Sequence, residues 1–244
     1  MDVTTTVAEL VAERPGRARV LERLGIDYCC GGKVPLRDAV AGKGLDPSTV
    51  LVLLEAIDDA VAAGRDWREA SLSELCDHIV REHHAYLRDE LPRLAALAEK
   101  VERAHGGEHP ELRDVRATLG ALTIELTGHL QTEERLVFPA LRRLGAGGEL
   151  EPAQLDGALA VLEQEHDEAG VALARLRELT GGFVPPAGAC NSFRAFYAGL
   201  ADLERDLHEH VHEENNVLFP RAAALVHVER KSGRRPPANF RRAG

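Results

Sequence analysis

The sequence predicts an all-α protein in which an up-down-up-down four-helix bundle follows a small helical domain. Aromatic residues make up only 4% of the 244 residues, and residues that favour helices, such as alanine, leucine, glutamate and arginine, are abundant. Four long amphipathic stretches occupy most of the chain, and the connections between them are short and rich in glycine or proline. Short connections between long helices join antiparallel neighbours.

Residues 1–64 are predicted to form the small helical domain. Apolar residues recur there at helical spacing in short segments separated by glycine turns. The segments are Val7–Glu13, Pro15–Leu24, Pro35–Ala41 and a longer helix over Pro47–Ala63. A linker, Gly64–Ser71, follows, and Ser71 or Ser73 is the candidate N-cap of the next helix.

The bundle domain is predicted over residues 71–226. Apolar periodicity places its four helices near residues 73–104, 110–144, 152–179 and 190–226. Residues 228–244 carry arginine, lysine, glycine and proline without periodicity. This pattern predicts a basic disordered tail.

Charge and composition exclude several classes of protein. The formal net charge is −10, so the body of the chain lacks the basic surface of a nucleic-acid-binding protein. The sequence contains neither a recognisable signal peptide nor an apolar run near the roughly 18 residues that span a membrane, which predicts a cytoplasmic protein. Four cysteines in a chain of this length argue against a disulfide scaffold, and they lack the paired Cys-x-x-Cys spacing of a zinc ribbon.

Two matching segments lie in the second and fourth predicted helices. His129-Leu-Gln-Thr-Glu133-Glu-Arg-Leu-Val-Phe-Pro139 matches His210-Val-His-Glu-Glu214-Asn-Asn-Val-Leu-Phe-Pro220. In each segment a histidine and a glutamate four residues apart share one helical face. Imidazole and carboxylate together suit iron, manganese or zinc. The duplication therefore indicates one metal site built from two halves.

The phase of the apolar stripes supports this interpretation. A core-facing line alternates steps of three and four residues, and in all four helices it runs through polar side chains. In the second helix the predicted line passes His129 and Glu133 and continues to Leu136 and Ala140. The polar residues on the four lines are His84, His129, Glu133, His166, His210 and Glu214.

Burial of these six groups together requires a compensating charge. An ionised carboxylate buried without a partner costs several kcal/mol, and a dinuclear metal centre removes that cost. The alternative is a buried network of hydrogen bonds between histidine and glutamate side chains. The stripes carry no thiolate, which disfavours an iron–sulfur cluster or a cysteine zinc site. Two carboxylates with two histidines per metal favour non-haem di-iron, with manganese or mixed metals as alternatives.

Other histidines and cysteines are predicted to have different roles. His208 and His212 are four residues apart but lie off the apolar line, which favours a solvated face over a zinc pair. His83 is predicted to be exposed or to lie beside a ligand, while Cys76 and Cys190 are predicted to fill small spaces in the core. The histidines predicted to lie at the surface or in loops are His78, His105, His109 and His227.

The chain as a whole resembles the iron–sulfur cluster repair di-iron proteins, also called RIC proteins, whose C-terminal part is a hemerythrin-like domain. The resemblance covers nearly all of residues 1–226. The motifs that carry it are Asp27-Tyr-Cys-Cys-Gly-Gly32, Leu91-Pro-Arg-Leu94, Glu165-His-Asp-Glu-Ala-Gly170 and Glu214-Asn-Asn-Val-Leu-Phe-Pro220. Cys-Cys-Gly-Gly discriminates best, because ordinary hemerythrins lack that N-terminal domain.

The resemblance implies two iron ions with oxo and carboxylate bridges, and it assigns the iron ligands to the six polar residues on the apolar lines. It also matches Glu125 and Glu165 to acidic residues that line a path to the centre. From position alone, each of these two is either an exposed helical glutamate or a residue that supports the ligands. Oxygen-carrying hemerythrin uses five histidines, and the four found here weaken the oxygen-carrier alternative.

The resemblance further implies a function in recovery from nitrosative and oxidative stress. The leading hypothesis is a protein that donates or mobilises iron to repair damaged iron–sulfur proteins. The second is an enzyme that reduces nitric oxide or peroxide at the di-iron centre, and the third is a protein that binds or senses oxygen or nitric oxide. The sequence does not separate the first two. The small N-terminal domain is compatible with a homodimer or with docking of a partner protein.

Cys29 and Cys30 lie before a Gly-Gly turn, which is predicted to expose both thiols. Adjacent cysteines do not readily form an unstrained disulfide. With the resemblance, a functional role is favoured: the thiols contact iron in transit, carry a nitrosyl group or undergo reversible oxidation. The alternative is that the motif only shapes a turn.

Overall fold

A computed structural model of the chain describes residues 1–60 and 66–231, with side chains described within 1–58 and 66–226. It confirms the all-α fold. The N-terminal unit, residues 1–60, contains α1 (Val7–Glu13), a 3-10 turn (Pro15–Arg17), α2 (Ala18–Arg23), α3 (Leu36–Ala41) and α4 (Pro47–Ala60). The predicted last residues of α4 and the start of the linker, residues 61–65, lie outside the described residues.

Four long helices form the bundle, and three of them contain a π-helical turn. α5 comprises Leu72–Ile79, the π turn Val80–His84 and Ala85–His105; α6 comprises Leu112–Thr132, the π turn Glu133–Val137 and Phe138–Gly145; α7 is Pro152–Leu179; α8 comprises Asn191–Glu213, the π turn Glu214–Leu218 and Phe219–Lys231. Each helix packs against its neighbour in the chain, and α8 closes the bundle against α5.

The helix boundaries follow local chemistry. Ser71 caps α5, because its hydroxyl accepts the Glu74 amide hydrogen while the Glu74 side chain accepts that of Ser71. α8 continues to Lys231, so the prediction that disorder starts at residue 228 is wrong for residues 228–231. The rest of the predicted tail lies outside the described residues. In the described part of the chain, every helix is too short or too polar to cross a bilayer.

The bundle core consists of two apolar clusters with a polar layer between them. One cluster fills the end that contains Leu87, Leu119, Leu173 and Leu203. The other fills the opposite end, and it contains the side chains Ile79, Val137, Leu141, Leu162, Val217 and Phe219. Every bundle helix passes from one cluster to the other through the residues that interrupt its predicted apolar line. The polar residues therefore share one level of the bundle.

The π turns correct the predicted apolar line of α6. Leu136 was expected to face the core, but it is 68% exposed, whereas Val137 and Leu141 are buried. A π turn holds one residue more than an α turn, so it rotates the following residues by roughly 100°. Pro139 is the second residue after this π turn. A proline within a helix cannot donate to the carbonyl four residues earlier, so it is compatible with a local departure from α-helical hydrogen bonding.

The N-terminal unit has its own small core and rests on α8. Its core includes Leu10, Leu21, Tyr28, Leu36 and Leu54. His212 Nδ1 donates to the Tyr28 carbonyl at 3.1 Å, and Asn216 Nδ2 donates to the Cys29 carbonyl at 2.9 Å. These bonds hold the Cys-Cys-Gly-Gly motif against the bundle. Independent folding of residues 71–226 stays a prediction.

Candidate metal centre

Six buried side chains meet in the polar layer of the bundle. We refer to them as the ligand layer: His84 from α5, His129 and Glu133 from α6, His166 from α7, and His210 and Glu214 from α8. They form two overlapping groups, and within each group one atom from every side chain lies within 4.8 Å of the others. One group contains His84 and His210, the other contains His129 and His166, and both contain the two glutamates.

Each carboxylate serves both groups. Glu133 Oε2 lies 3.3 Å from His84 Nε2, and its other oxygen, Oε1, lies 3.3 Å from His129 Nε2. Glu214 repeats the arrangement, with Oε1 3.3 Å from His210 Nε2 and Oε2 3.1 Å from His166 Nε2. Two carboxylates that each span two pairs of imidazoles have the arrangement of bridging ligands in a dinuclear site.

The ligand layer contains buried polar atoms that the protein does not satisfy. Both carboxylate oxygens of Glu133, both of Glu214, and Nε2 of His84 and His210 are buried without a hydrogen-bond partner. The contacts at 3.1–3.3 Å between carboxylates and imidazoles bring opposite charges together without the geometry of a hydrogen bond to the carboxylate. Buried polar atoms are almost always paired in native proteins. A pair of metal ions would use all of these atoms, so the donor set fits a dinuclear metal centre.

Burial and the contacts between carboxylates and imidazoles shift the pKa values of the ligand layer. Burial lowers the pKa of His210. Burial acts to raise the pKa of Glu214, but His210 and His166 outweigh this effect and hold that pKa well below 4.5. Burial likewise acts to lower the pKa of His129, but the carboxylates of Glu133 and Glu165 raise it to about 10.

The residue after each shared glutamate orients a histidine from the preceding helix. His84 Nδ1 donates to Glu134 Oε1 at 2.7 Å, and His166 Nδ1 donates to Asn215 Oδ1 at 2.9 Å. These bonds fix the tautomer that leaves Nε2 free to bind a metal. Sequence reasoning missed Glu134 and Asn215, although the repeat contained the signal, since each directly follows a glutamate of the ligand layer.

The phenylalanine of each repeat supports the same histidine. Phe138 stacks on His84 with ring centroids 5.6 Å apart, and Phe219 stacks on His166 at 6.1 Å. Both phenylalanines are buried. Each repeated segment thus supplies a histidine and a glutamate of its own and holds the imidazole of a second helix.

The two halves of the centre differ at one position. His129 Nδ1 donates to Glu165 Oε2 at 2.7 Å, whereas His210 Nδ1 is buried without a partner. The position before the ligand histidine is Glu165 in α7 and His83 in α5. The His83 ring does not bond to His210 but stacks on it, with centroids 5.3 Å apart. Glu165 therefore orients a candidate ligand, as one sequence interpretation proposed. Glu125 is exposed and, with Glu165, borders a cavity of about 130 Å³ that reaches His129, His166 and His210.

We expect Glu134→Ala to weaken metal binding by about 10- to 100-fold, the usual effect of removing a group that orients a metal-bound histidine. The loss follows because His84 would no longer be held in its metal-binding tautomer. Competition with a chromophoric chelator measures the affinity. Arg135→Ala, at the adjacent exposed position, is the matched control and should bind metal like the wild type. Equal affinities for Glu134→Ala and the wild type would contradict the orienting role.

The structure corrects the predicted exposure of the two adjacent thiols. Cys30 is partly buried, but Cys29 is only 7% exposed. The neighbouring Cys30 and burial raise the pKa of the Cys29 thiol well above its usual range, so Cys29 is a poor nucleophile at neutral pH. Cys30 Sγ lies 3.9 Å from the backbone oxygen of His166. The motif is therefore packed beside the ligand layer rather than held out in solvent.

Two further sequence predictions are wrong. One treated the bundle as if nothing packed against it, and the other placed the end of a helix in the core. His212 was assigned to a solvated face, but it is 4% exposed, because the N-terminal unit covers that side of α8. Cys190 was assigned to the core, but it is exposed at the N-terminal end of α8. Cys76 is fully buried, as predicted, and His83 is buried beside His210.

Comparison with known proteins identifies relatives over both parts of the chain. The family described as hemerythrin HHE cation binding domain matches residues 76–222, and a domain of unknown function, DUF542, matches residues 3–58. The iron-sulfur cluster repair protein YtfE of Edwardsiella ictaluri is 42% identical over 224 residues, which cover 90% of this chain and 97% of the relative. The protein of the same name from Pectobacterium carotovorum is 39% identical over 217 residues, or 89% and 96% of the two chains.

Proposed function

Because this chain belongs to the family of iron–sulfur cluster repair proteins that carry a hemerythrin HHE domain, we propose that it repairs clusters damaged by nitrosative or oxidative stress, by donating or mobilising iron. The observation that carries the proposal is the pair of shared carboxylates, whose four buried oxygens have no hydrogen-bond partner in the protein. Such a site binds two cations and, because it sits beside a cavity, can release one. The partners are damaged iron–sulfur proteins, and the compartment is the cytoplasm.

The resident metal in this proposal is a pair of iron ions. Imidazole nitrogen and carboxylate oxygen are common ligands of non-haem iron, and two imidazoles with two shared carboxylates leave coordination positions open at each ion. When bound, the iron pair would supply redox chemistry. The chain contributes a buried set of donors, and three of the four imidazoles are oriented by hydrogen bonds that they donate to Glu134, Asn215 and Glu165.

Glu125 and Glu165 are proposed to line the path by which iron leaves. Both border the cavity of about 130 Å³ beside the ligand layer, and the Glu165 side chain is 42% exposed. Glu165 contacts His129 on one side and solvent on the other, so a proton or cation that reaches Glu165 perturbs a ligand directly. Glu125 adds a second carboxylate in the wall of the same cavity, and together they attract a departing cation.

Cys29 and Cys30 are proposed to receive or deliver the transferred group. Cys30 Sγ lies beside the backbone of His166, and Asn216 anchors the Cys29 carbonyl to α8. The burial of Cys29 makes Cys30 the thiol that meets iron or a nitrosyl group first. The Cys29 sulfur lies 3.9 Å from that of Cys30, close enough to contact the same bound group.

A second candidate function is the reduction of nitric oxide at the metal centre. The observation that favours it is the same cavity, which is small, includes Leu126, Ala169 and Leu207 in its wall, and reaches His129, His166 and His210. A pocket of this size admits a diatomic gas to the ligand layer. The first function is preferred because the relatives are named as iron–sulfur cluster repair proteins.

Single-turnover assays on the iron-loaded protein separate the two functions. Under the first, we expect iron to move to an apo-cluster protein and restore its activity, without nitrous oxide formation from nitric oxide. The Cys29→Ser, Cys30→Ser double variant should keep its iron but lose reactivation. Cys190→Ser, which removes an exposed thiol elsewhere, should behave like the wild type. Stoichiometric nitrous oxide without iron transfer would instead establish the enzyme.

A further inference from the structure

A second group of metal-binding side chains lies outside the ligand layer, on the side of the bundle that faces the N-terminal unit. It consists of His78 and His83 from α5 and Glu213 from α8. Glu213 Oε1 lies 3.2 Å from His78 Nε2, and Glu213 Oε2 lies 3.6 Å from His83 Nε2. One nitrogen of each imidazole and one carboxylate oxygen lie within 4.8 Å of one another.

The distance from Glu213 to His78, 3.2 Å, matches ligands that share one ion, and the distance to His83, 3.6 Å, is only slightly longer. Two ligands held about 2.1 Å from a metal stand roughly 3.0 to 3.5 Å apart in tetrahedral or octahedral sites. Two histidines and one carboxylate are the donor set that binds ferrous iron and leaves positions open for water. The three residues therefore offer a mononuclear site for a divalent cation of the iron, cobalt or zinc type.

Buried atoms without partners point to the same conclusion. Glu213 Oε2 and Asp206 Oδ2, which both lie at this cluster, are buried and have no hydrogen-bond partner. The side chains of His83 and Glu213 are only 7% and 15% exposed. A cation between the imidazoles and Glu213 would use the free carboxylate oxygen and remove the cost of burying it.

Both imidazoles are already oriented for binding. His83 Nδ1 contacts Asp206 Oδ1 at 2.9 Å, which directs Nε2 toward Glu213. A carboxylate behind a metal-bound histidine is the usual way in which proteins fix the imidazole and increase its basicity. His78 stacks on Trp67 with ring centroids 3.9 Å apart, and its Nε2 faces Glu213 as well.

We propose that His78, His83 and Glu213 form a third metal site, weaker than the dinuclear centre and adjacent to it. It is weaker because it has three protein ligands and a single carboxylate. It is adjacent because the His83 ring stacks on His210 of the ligand layer, and Glu213 directly precedes Glu214.

One ligand of the third site, Glu213, borders a cleft that opens to solvent. Trp67 and Glu213 border a cleft of about 220 Å³ between α8 and the N-terminal unit, which also includes Tyr28 and His212 in its wall. This cleft shares no lining residue with the cavity at Glu125 and Glu165. An ion can therefore reach the third site without passing through the dinuclear centre.

The test titrates the full chain, already carrying its resident metal, with cobalt(II), whose visible absorption reports imidazole and carboxylate ligands. The resident metal is quantified before and after. We expect the wild type to bind one further equivalent. His78→Phe, which keeps the ring stacked on Trp67 but removes its nitrogen ligand, should bind that equivalent at least tenfold more weakly while keeping its resident metal. Glu213→Gln, which keeps the shape but not the charge, should do the same.

His109→Phe is the matched control, because His109 also pairs with a glutamate but lies in the connection that follows the far end of α5; it should bind cobalt like the wild type. Absence of a further equivalent in the wild type would overturn the proposal, as would its persistence in both variants. If Glu213→Gln also loses resident metal through its neighbour Glu214, the His78→Phe result decides, since His78 lies outside the ligand layer.

Discussion

Alanine at Glu133 or at Glu214 is expected to remove both resident metal ions, whereas alanine at one histidine of the ligand layer is expected to spare one ion. The reason is that each glutamate places one oxygen near the histidines of either group. His84 and His210 serve only one group, and His129 and His166 serve only the other. Loss of a shared carboxylate should lower the affinity of both sites by more than the roughly 100-fold that follows loss of an orienting group.

Metal content per chain, measured after equilibrium dialysis, checks this expectation. His212→Ala is the control: His212 is buried two residues from His210 but bonds to the Tyr28 carbonyl instead of entering the ligand layer. It should retain both ions and only loosen the contact with the N-terminal unit. One ion retained in Glu133→Ala would mean that the carboxylates do not bridge. Metal lost from His212→Ala but kept in His210→Ala would mean that the assignment of faces on α8 is wrong.

Removal of the metal is expected to destabilise the bundle strongly. A ligand present at about a thousandfold excess over its dissociation constant stabilises the folded state by about 4 kcal/mol, so two such sites contribute about 8 kcal/mol. For a chain of this size each kcal/mol moves the melting temperature by about 2–4 °C, so the expected decrease is on the order of 15–30 °C. Without metal, the carboxylate oxygens of the ligand layer would stay buried without hydrogen-bond partners, which destabilises the folded state.

Thermal unfolding with and without a chelator measures this effect. The double variant Glu133→Ala, Glu214→Ala cannot hold the ions, so its melting temperature should not respond to the chelator. A chelator-induced decrease of equal size in that variant would show that the effect does not arise at the ligand layer. If the chelator leaves the melting temperature of the metal-loaded wild type unchanged, the six residues form a hydrogen-bond network that is stable without metal.

The sequence predicted the bundle and the six side chains that the structure brings together in the ligand layer, because both depend on local periodicity. An apolar line of threes and fours fixes which face of a helix is buried, and His84, His129, His166 and His210 interrupt that line. The helix-favouring composition and the short connections then predicted that neighbouring helices are antiparallel. The Ser71 cap was predictable for the same reason, since the capping box involves residues only three apart.

What the sequence did not predict depends on tertiary contacts or on small departures from the α-helix. Periodicity assumes a constant helical turn, so it placed Leu136 inside, one residue away from the buried Val137. It treated the bundle as if solvent surrounded it, so it assigned His212 and Cys29 to exposed positions that α8 and the N-terminal unit bury in each other. The hydrogen bonds that Glu134 and Asn215 accept come from histidines on other helices. The periodicity of a single helix does not predict such contacts.

The π turns have a consequence for how this bundle tolerates change. An extra residue in an ordinary helix turns everything after it by roughly 100° and moves the apolar side chains out of the core. Here the phase change in α5, α6 and α8 falls at the polar layer, so each apolar cluster stays in register with itself. The two apolar clusters of the bundle thus pack separately, and they meet at the ligand layer. Selection can repack one end, or lengthen it, without disturbing the register of the other.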